Sequence, residues 1–307
     1  MIFRSDTGLA LVRFHVTNKN RYVQDLRASD IELLEDGVVQ KLVLFEGPNS
    51  GPGGRRTIPI ELILLLDVSQ SVMNEGMLDA FIMKETLLDG MDGNITISVY
   101  IFANKLKRLC APTNDVAKLK QAFDVVYKTN LGGTRLYEAI METARLASTA
   151  SGANVTRLML VISDGFATTD TPPRNAANVA NAYGIPIYPM VVGHEKIAKQ
   201  IQARNQAAKP GANPPASYSR ALDKEREIQE FASLGELTGG RSFDPPMANS
   251  VIMRSILRSM VAQLVCEYVV GYSPGTTSAT PQTHKVTVRL RNKSLGKLVG
   301  GKRSVTH

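Results

Sequence analysis

The amino-acid sequence predicts an α/β protein: a doubly wound, mostly parallel sheet, inserted into a small β-sandwich that both ends of the chain build together. Three observations predict it. From residue 58 onward, nearly continuous apolar runs alternate with amphipathic stretches, the pattern of strands covered on both faces by helices. Both ends of the chain have strand composition instead, and a solitary hairpin at either end would be marginal unless it joined the other. A breaker cluster, Gly47-Pro48-Asn49-Ser50-Gly51-Pro52-Gly53-Gly54, separates the first end from the α/β pattern.

The elements follow in order. Leu9 to Val16 reads as a strand, and Ile31–Leu34 and Val38–Phe45 read as a hairpin joined across Asp36-Gly37. After the breakers, strands are expected at Ile60–Leu66, Ile95–Phe102, Leu158–Ile162 and Ile185–Val192. Helices are expected around 77–90, 115–126, 135–149 and 174–183, the third with Leu136, Ile140, Ala144 and Ala147 on one stripe. The segment 194–225 begins as a polar helix and loosens at Lys209-Pro210-Gly211-Ala212-Asn213-Pro214-Pro215, which reads as a surface insertion. Ile252, Ile256, Met260 and Leu264 then mark an amphipathic helix over 249–266. Tyr268–Tyr272, His284–Leu290 and a strand near Leu298 complete the second end. The domain division is therefore 1–57, an N-terminal β segment with its linker; 58–266, the α/β unit; and 267–307, a C-terminal β segment.

Composition excludes several classes of function. With 307 residues, 43% of them hydrophobic, the chain can bury a sizeable core without staples. The run from Ile58 to Leu66 is interrupted by Pro59 and Glu61 and falls short of the roughly 18 residues of a membrane span. The net charge of +8 is not spread over the molecule. Residues 58–265 hold 21 basic and 20 acidic side chains, whereas residues 266–307 hold seven basic and one acidic. Alternating basic and apolar residues in that tail describe the wet face of a strand, and no aromatics are interleaved for base stacking, so nucleic acid is not an expected partner. Cys110 and Cys266 read as reduced thiols, and Met1 to Asp6 lack the features of a secretory signal.

Chemistry concentrates at the carboxyl ends of the strands, the edge where open α/β sheets bind ligands. The first strand of the unit runs into Asp67-Val68-Ser69-Gln70-Ser71, a D-x-S-x-S pattern. The loop Asn130-Leu131-Gly132-Gly133-Thr134 places a hydroxyl just ahead of a helix, and a later strand ends in Ser163-Asp164-Gly165. Two carboxylates and three hydroxyls thus reach one side of one sheet. All are oxygen donors, which suits a hard cation such as Mg²⁺, with Mn²⁺ or Ca²⁺ as substitutes, and disfavours zinc. Two carboxylates balance a divalent ion, and neutral hydroxyls leave it electrophilic enough to accept a further carboxylate. Taken alone, Ser71 reads equally as a cap for the helix that follows.

Enzymatic readings have less support. Gly271-Tyr272-Ser273-Pro274-Gly275 matches G-x-S-x-G literally, but it lies in a loop and opens no helix. A phosphoryl-accepting Asp67 would want a second Asp two residues on, where Ser69 stands. No glycine-rich phosphate loop occurs, and His15, His194, His284 and His307 are scattered, each reading as a surface or loop residue.

Asp67, Ser69, Ser71, Thr134 and Asp164 together resemble the metal-ion-dependent adhesion site of the von Willebrand factor A family, whose fold is Rossmann-like. Gly132-Gly133-Thr134-x-Leu136 and Leu237-Thr238-Gly239-Gly240-Arg241-Ser242-Phe243 extend the likeness. The flanks, Asp30 to Gln40 with Phe45 and Tyr268 to Pro274, look like the bacterial VWFA-related family common in Acidobacteria. The resemblance implies that Ser69, Ser71 and Thr134 bind the ion directly while Asp67 or Asp164 acts through water. It also implies a non-enzymatic adhesion module that takes an Asp or Glu from a partner protein, located outside the cell or in the periplasm. The alternative it offers is a subunit of a chelatase-like or ATPase-linked assembly.

Overall fold

Residues 61–66 are Glu-Leu-Ile-Leu-Leu-Leu, and their alternation sends successive side chains to opposite faces of a sheet that is apolar on both. In the computed structural model, which describes residues 9–19, 21–49, 59–74, 95–126, 129, 131–150, 155–207, 216–245, 255, 258, 262, 266–274 and 283–306, they form the centre of a five-stranded sheet. The strands before it are β1 (Ala10–Asn18), β2 (Arg21–Tyr22), β3 (Ile31–Glu35), β4 (Val38–Gln40) and β5 (Leu44–Glu46). The central sheet contains β6 (Ile60–Asp67), β7 (Ile95–Phe102), β8 (Leu106–Thr113), β9 (Thr156–Ser163) and β10 (Ile187–Val191), in the order β10-β9-β6-β7-β8. All neighbours are parallel except β8, which runs antiparallel to β7.

Among the described residues the helices that accompany it are α1 (Gln70–Asn74), α2 (Val116–Val126), α3 (Leu136–Ala150), α4 (Pro173–Ala182), α5 (His194–Ala207) and α6 (Ala216–Thr238). Leu62, Leu64 and Leu66 pack on one face with Val72 of α1 and Leu119, Phe123 and Val126 of α2. Ile63 and Leu65 pack on the other with Ile140 of α3, Ala176 of α4 and Phe231 of α6. This is the α/β layering that the sequence predicts.

The polar helix expected at the start of 194–225 is α5, the loosening at 209–215 lies outside the described residues, and the end of that segment is the start of α6. Ala221, Ile228, Phe231 and Leu234 are buried, so the long helix is a layer of the unit, and α5 leans on it through Ile197. Its end is fixed by Gly240, where an added Cβ would come within 1.9 Å of the Ile187 carbonyl oxygen, a distance that excludes any side chain. Beyond that glycine, Phe243 adds to the sheet edge through bonds from its N–H to Pro189 O and from the Val191 N–H to Phe243 O.

The chain ends pair with each other. β11 (Tyr268–Tyr272) lies antiparallel to β1, and β12 (Thr283–Leu290) antiparallel to β3, while β13 (Lys297–Gly300) joins β1 and β14 (Lys302–Thr306) joins β12. Val12, Phe14, Ile31, Leu33, Tyr268, Val270, Val286 and Val288 form one apolar cluster drawn from both sheets. The β3–β4 hairpin turns at Asp36 and Gly37, with φ of 48° and 87°, the pair of left-handed residues a type I′ turn requires. The expected strand Val38–Phe45 is divided, since β4 pairs with β3 but β5 pairs with β11 in the other sheet.

Cys110 and Cys266 are both free, Cys266 buried and Cys110 half-buried. The expected helix at 77–90, most of the linker, and nearly all of the helix at 249–266 lie outside the described residues; of the last, residues 255, 258 and 262 are helical. Among the described residues no helix is long and apolar enough to cross a membrane.

Candidate metal centre

β6 delivers Asp67 to the carboxyl edge of the sheet with no exposure to solvent. Its Oδ1 accepts from the Ser69 N–H at 2.8 Å, and its Oδ2 accepts from the Ser163 hydroxyl at 2.6 Å. Ser163 therefore belongs to the site, although the sequence reading assigned it no role; it also receives the Gly165 N–H at 3.1 Å. Ser69 stands just ahead of α1, and its carbonyl accepts from the Met73 N–H. Ser71 lies within the first turn of α1 and so does not precede the helix as a cap would. The hydroxyls of Ser69 and Ser71 are 3.2 Å apart.

The second loop is laid against the first. Ser69 and Leu131 form a parallel bridge, with the Leu131 N–H donating to Val68 O at 3.1 Å, and the Arg135 N–H donates to Ala103 O at 2.8 Å. Thr134, 4% exposed, lies between these anchors. Gly133 before it has φ of 78°, a left-handed backbone that favours glycine, while an added Cβ would make only ordinary contact with Asn104.

The third loop follows β9 and is fastened to the second by Thr168. The Thr134 N–H donates to Thr168 Oγ1 at 2.9 Å, and the Thr168 N–H returns to Thr134 O at 2.8 Å. Further along, Thr169 and Thr171 donate to the two carboxylate oxygens of Glu138 at 3.0 and 2.7 Å. Burial would raise the Glu138 carboxyl, but these hydroxyls hold it below its ordinary value. Thr168 was not anticipated, because its role depends on register between loops 34 residues apart.

Asp164 is 1% exposed, its Oδ1 accepts from the Phe166 N–H at 3.2 Å, and its Oδ2 is buried with no hydrogen-bond partner among the described residues. Burial raises its carboxyl, against relief from Ser71, the Phe166 N–H and the charge of Lys224. Asp67 is pushed up to about 6, first by burial and then by the charge of Asp164. The charge of one buried carboxylate thus opposes the ionisation of the other, and Asp164 Oδ2 has no hydrogen-bond partner within bonding geometry among the described residues, although the Ser71 hydroxyl is near enough to ease its charge. A buried acceptor without a donor is costly, and a cation resolves both problems together.

The donors present are carboxylate and hydroxyl oxygens, so they fit a hard divalent ion. Among the described residues there is no cluster of three or more His, Cys, Asp and Glu side chains placed to hold a metal. A cation here would therefore depend on Ser69, Ser71 and Thr134 as well as on the two acids. His15 and His194 depart from the reading of scattered surface histidines, since His15 is buried in β1 and both ring nitrogens of His194 face carboxylates.

A doubly wound α/β unit with an oxygen-lined cluster at the carboxyl edge of its sheet defines a class of ligand-binding domains. Residues 61–232 match the model of the von Willebrand factor type A domain, more than half of the chain, and the protein belongs to that family. Such domains commonly mediate protein interactions. No curated protein matches the chain in sequence. Among solved structures, the chain is similar to a von Willebrand factor type A protein from Catenulispora acidiphila, at 10% identity and a TM-score of 0.49, over 92% of this chain and 75% of that one. It is also similar to an aerotolerance-related membrane protein from Bacteroides fragilis, at 19% identity and a TM-score of 0.46, over 66% of this chain and 99% of that one. BatB from Bacteroides thetaiotaomicron gives 19% identity and a TM-score of 0.43 over the same shares.

Proposed function

We propose that this protein is a non-enzymatic binding module in which Asp67, Ser69, Ser71, Thr134 and Asp164 hold one divalent cation that takes an Asp or Glu carboxylate from a partner protein. The observation that carries the reading is the buried pair of like charges, Asp67 and Asp164, with Asp164 Oδ2 left without a donor among the described residues. When bound, the cation neutralises this pair and supplies an electrophilic position for an outside anion; Mg²⁺ suits the donor set, with Mn²⁺ or Ca²⁺ as substitutes. Asp67 is oriented by Ser163 and the Ser69 N–H, and the Thr134 loop is held by Thr168, so the donors are arranged before any ligand arrives. That preorganisation reduces the ordering cost of binding.

In this reading the two terminal sheets form a small β-sandwich, made of residues 1–57 and 267–307, with the binding unit 58–266 inserted into it. The shared apolar cluster of β1, β3, β11 and β12 supports that arrangement. Placement outside the cell or in the periplasm follows the family resemblance.

Calorimetry of the folded protein is expected to register uptake of one Mg²⁺ or Mn²⁺ per chain, and Asp67→Ala is expected to abolish it with the circular dichroism spectrum unchanged. A folded wild-type protein that takes up neither ion ends the proposal. A pull-down in Mg²⁺ against EDTA then tests the partner: recovery of an ATPase subunit would favour the chelatase-like assembly over adhesion.

A further inference from the structure

His194 is the first residue of α5 and follows the end of β10. Its Nε2 lies 2.8 Å from Glu225 Oε2 on α6, and its Nδ1 lies 2.5 Å from Asp244 Oδ2. Asp244 directly follows Phe243, which is bonded to β10. One imidazole therefore joins three chain segments, and the ring is only 21% exposed. A neutral imidazole has one N–H and one lone pair, while a carboxylate only accepts. Two carboxylates can both be satisfied only by the imidazolium; in the neutral ring, one nitrogen lone pair would face a carboxylate oxygen.

Of the described side chains of α5 only Ile197 is buried, and Ile201 is partly buried against the core. Between α5 and α6 runs an open groove lined by Ala198, Ile201 and Leu222, with His194 and Glu225 beside it. We propose that His194, Glu225 and Asp244 form a proton-operated clamp that seats α5 on α6 while the imidazole is charged and loosens it, widening the groove, when the proton is lost.

The charged surroundings agree. From α6, Glu225 faces the ring, flanked by Lys224 and by Arg226, which pairs with Asp223; Gln229 donates to the other Glu225 oxygen at 3.1 Å. From the segment beyond α6, which bonds to β10, Asp244 faces it, while Arg241 lies over the Phe243 ring. On α5 itself, Glu195 pairs with Lys199, and Lys196 adjoins. Burial would lower the imidazole, but hydrogen bonds and charge from Asp244 and Glu225 outweigh it and raise it above the ordinary 6.5. A histidine raised on folding contributes stability that is complete below about 6.5, the unfolded value, and is lost as pH rises through the folded one.

NMR titration of His194 in the full chain is expected to give a pKa above 6.5, which Asp244→Asn moves back toward that value. Amide exchange in α5, corrected for the intrinsic effect of base, is expected to lose protection several-fold between pH 6 and pH 8 in the wild type. Asp244→Asn, whose amide can donate to the neutral ring, should lose less. A His194 pKa at or below 6.5 overturns the clamp, as does α5 protection in the wild type that does not fall with pH or falls no more than in His194→Gln.

Discussion

β6 carries a buried carboxylate at each end, and β9 places a charged residue close to each of them. At the amino-terminal end Glu61 pairs with Arg157 at 3.1 Å and accepts from Ser98 at 3.0 Å, with Glu61 and Arg157 opposite each other in register. Arg13 of β1 donates to the Arg157 carbonyl, so the same end also receives a terminal sheet. At the carboxyl-terminal end, Asp67 meets the like charge of Asp164, and Asp164 Oδ2 is left without a donor among the described residues. One pair of strands thus has a compensated edge and an uncompensated one. Opposite charges balance each other at the first edge, although Arg157 Nη2 is buried without a hydrogen-bond partner among the described residues, whereas at the second the like charges are balanced, in the proposed function, by a cation from outside. Burial alone does not distinguish a structural charge from a functional one; the sign of its neighbour does.

The contrast can be broken most forcefully at Arg157. Arg157→Met leaves Glu61, whose side chain is 1% exposed, as an uncompensated buried charge, and is expected to cost about 3–5 kcal/mol in urea denaturation. Replacing both partners, as Glu61→Leu with Arg157→Met, should recover most of that loss. A single variant as stable as the wild type would show that this edge is not held by the pair.

At the other edge the sign should reverse. Asp164→Asn removes one of two opposed charges, so in EDTA it is expected to stabilise the fold by about 1–2 kcal/mol, the worth of roughly one pKa unit. The same variant should lose Mg²⁺ affinity by about a hundredfold or more in calorimetry, since a charged oxygen ligand is gone. Destabilisation in EDTA together with intact Mg²⁺ binding would remove the distinction between the edges.

Much of this layout is legible in the sequence because it depends on local pattern. The nearly continuous apolar runs of β6, β7 and β9 reveal a doubly covered sheet, and Asp67, Thr134 and Asp164 can each be placed at a strand end or helix start by adjacency. β8 is not legible. Its half-buried Leu106 and exposed Lys107 and Arg108 lack a strand's alternation, and Pro112 is tolerated because the strand lies at the sheet edge. The helix at 216–238 is masked by its many charges, since its core contacts rest on Ala221, Ile228, Phe231 and Leu234. The division of Val38–Phe45 between two sheets is set by partners more than 200 residues away. For the same reason Glu61 and Arg157 read as unremarkable until register places them side by side.

The finest test of the uncompensated edge is Lys224, an exposed α6 side chain whose Nζ lies 4.8 Å from the centre of the Phe166 ring. Phe166 is tied by its N–H to Asp164, and the positive charge of Lys224 lowers the Asp164 carboxyl. This lysine does weakly from the surface what Arg157 does at close range from within: it offers a cation to a buried acid. A divalent ion entering the site must then bind beside a positive charge already present. Lys224→Ala should raise Mg²⁺ affinity by roughly twofold to fivefold at low salt, the range of an exposed charge interaction, with the gain fading as ionic strength increases. Calorimetry at two salt concentrations separates this from a packing effect through Phe166, which salt would leave unchanged. An affinity that is lowered, or raised equally at both salt concentrations, would mean that Lys224 does not act on the site through its charge.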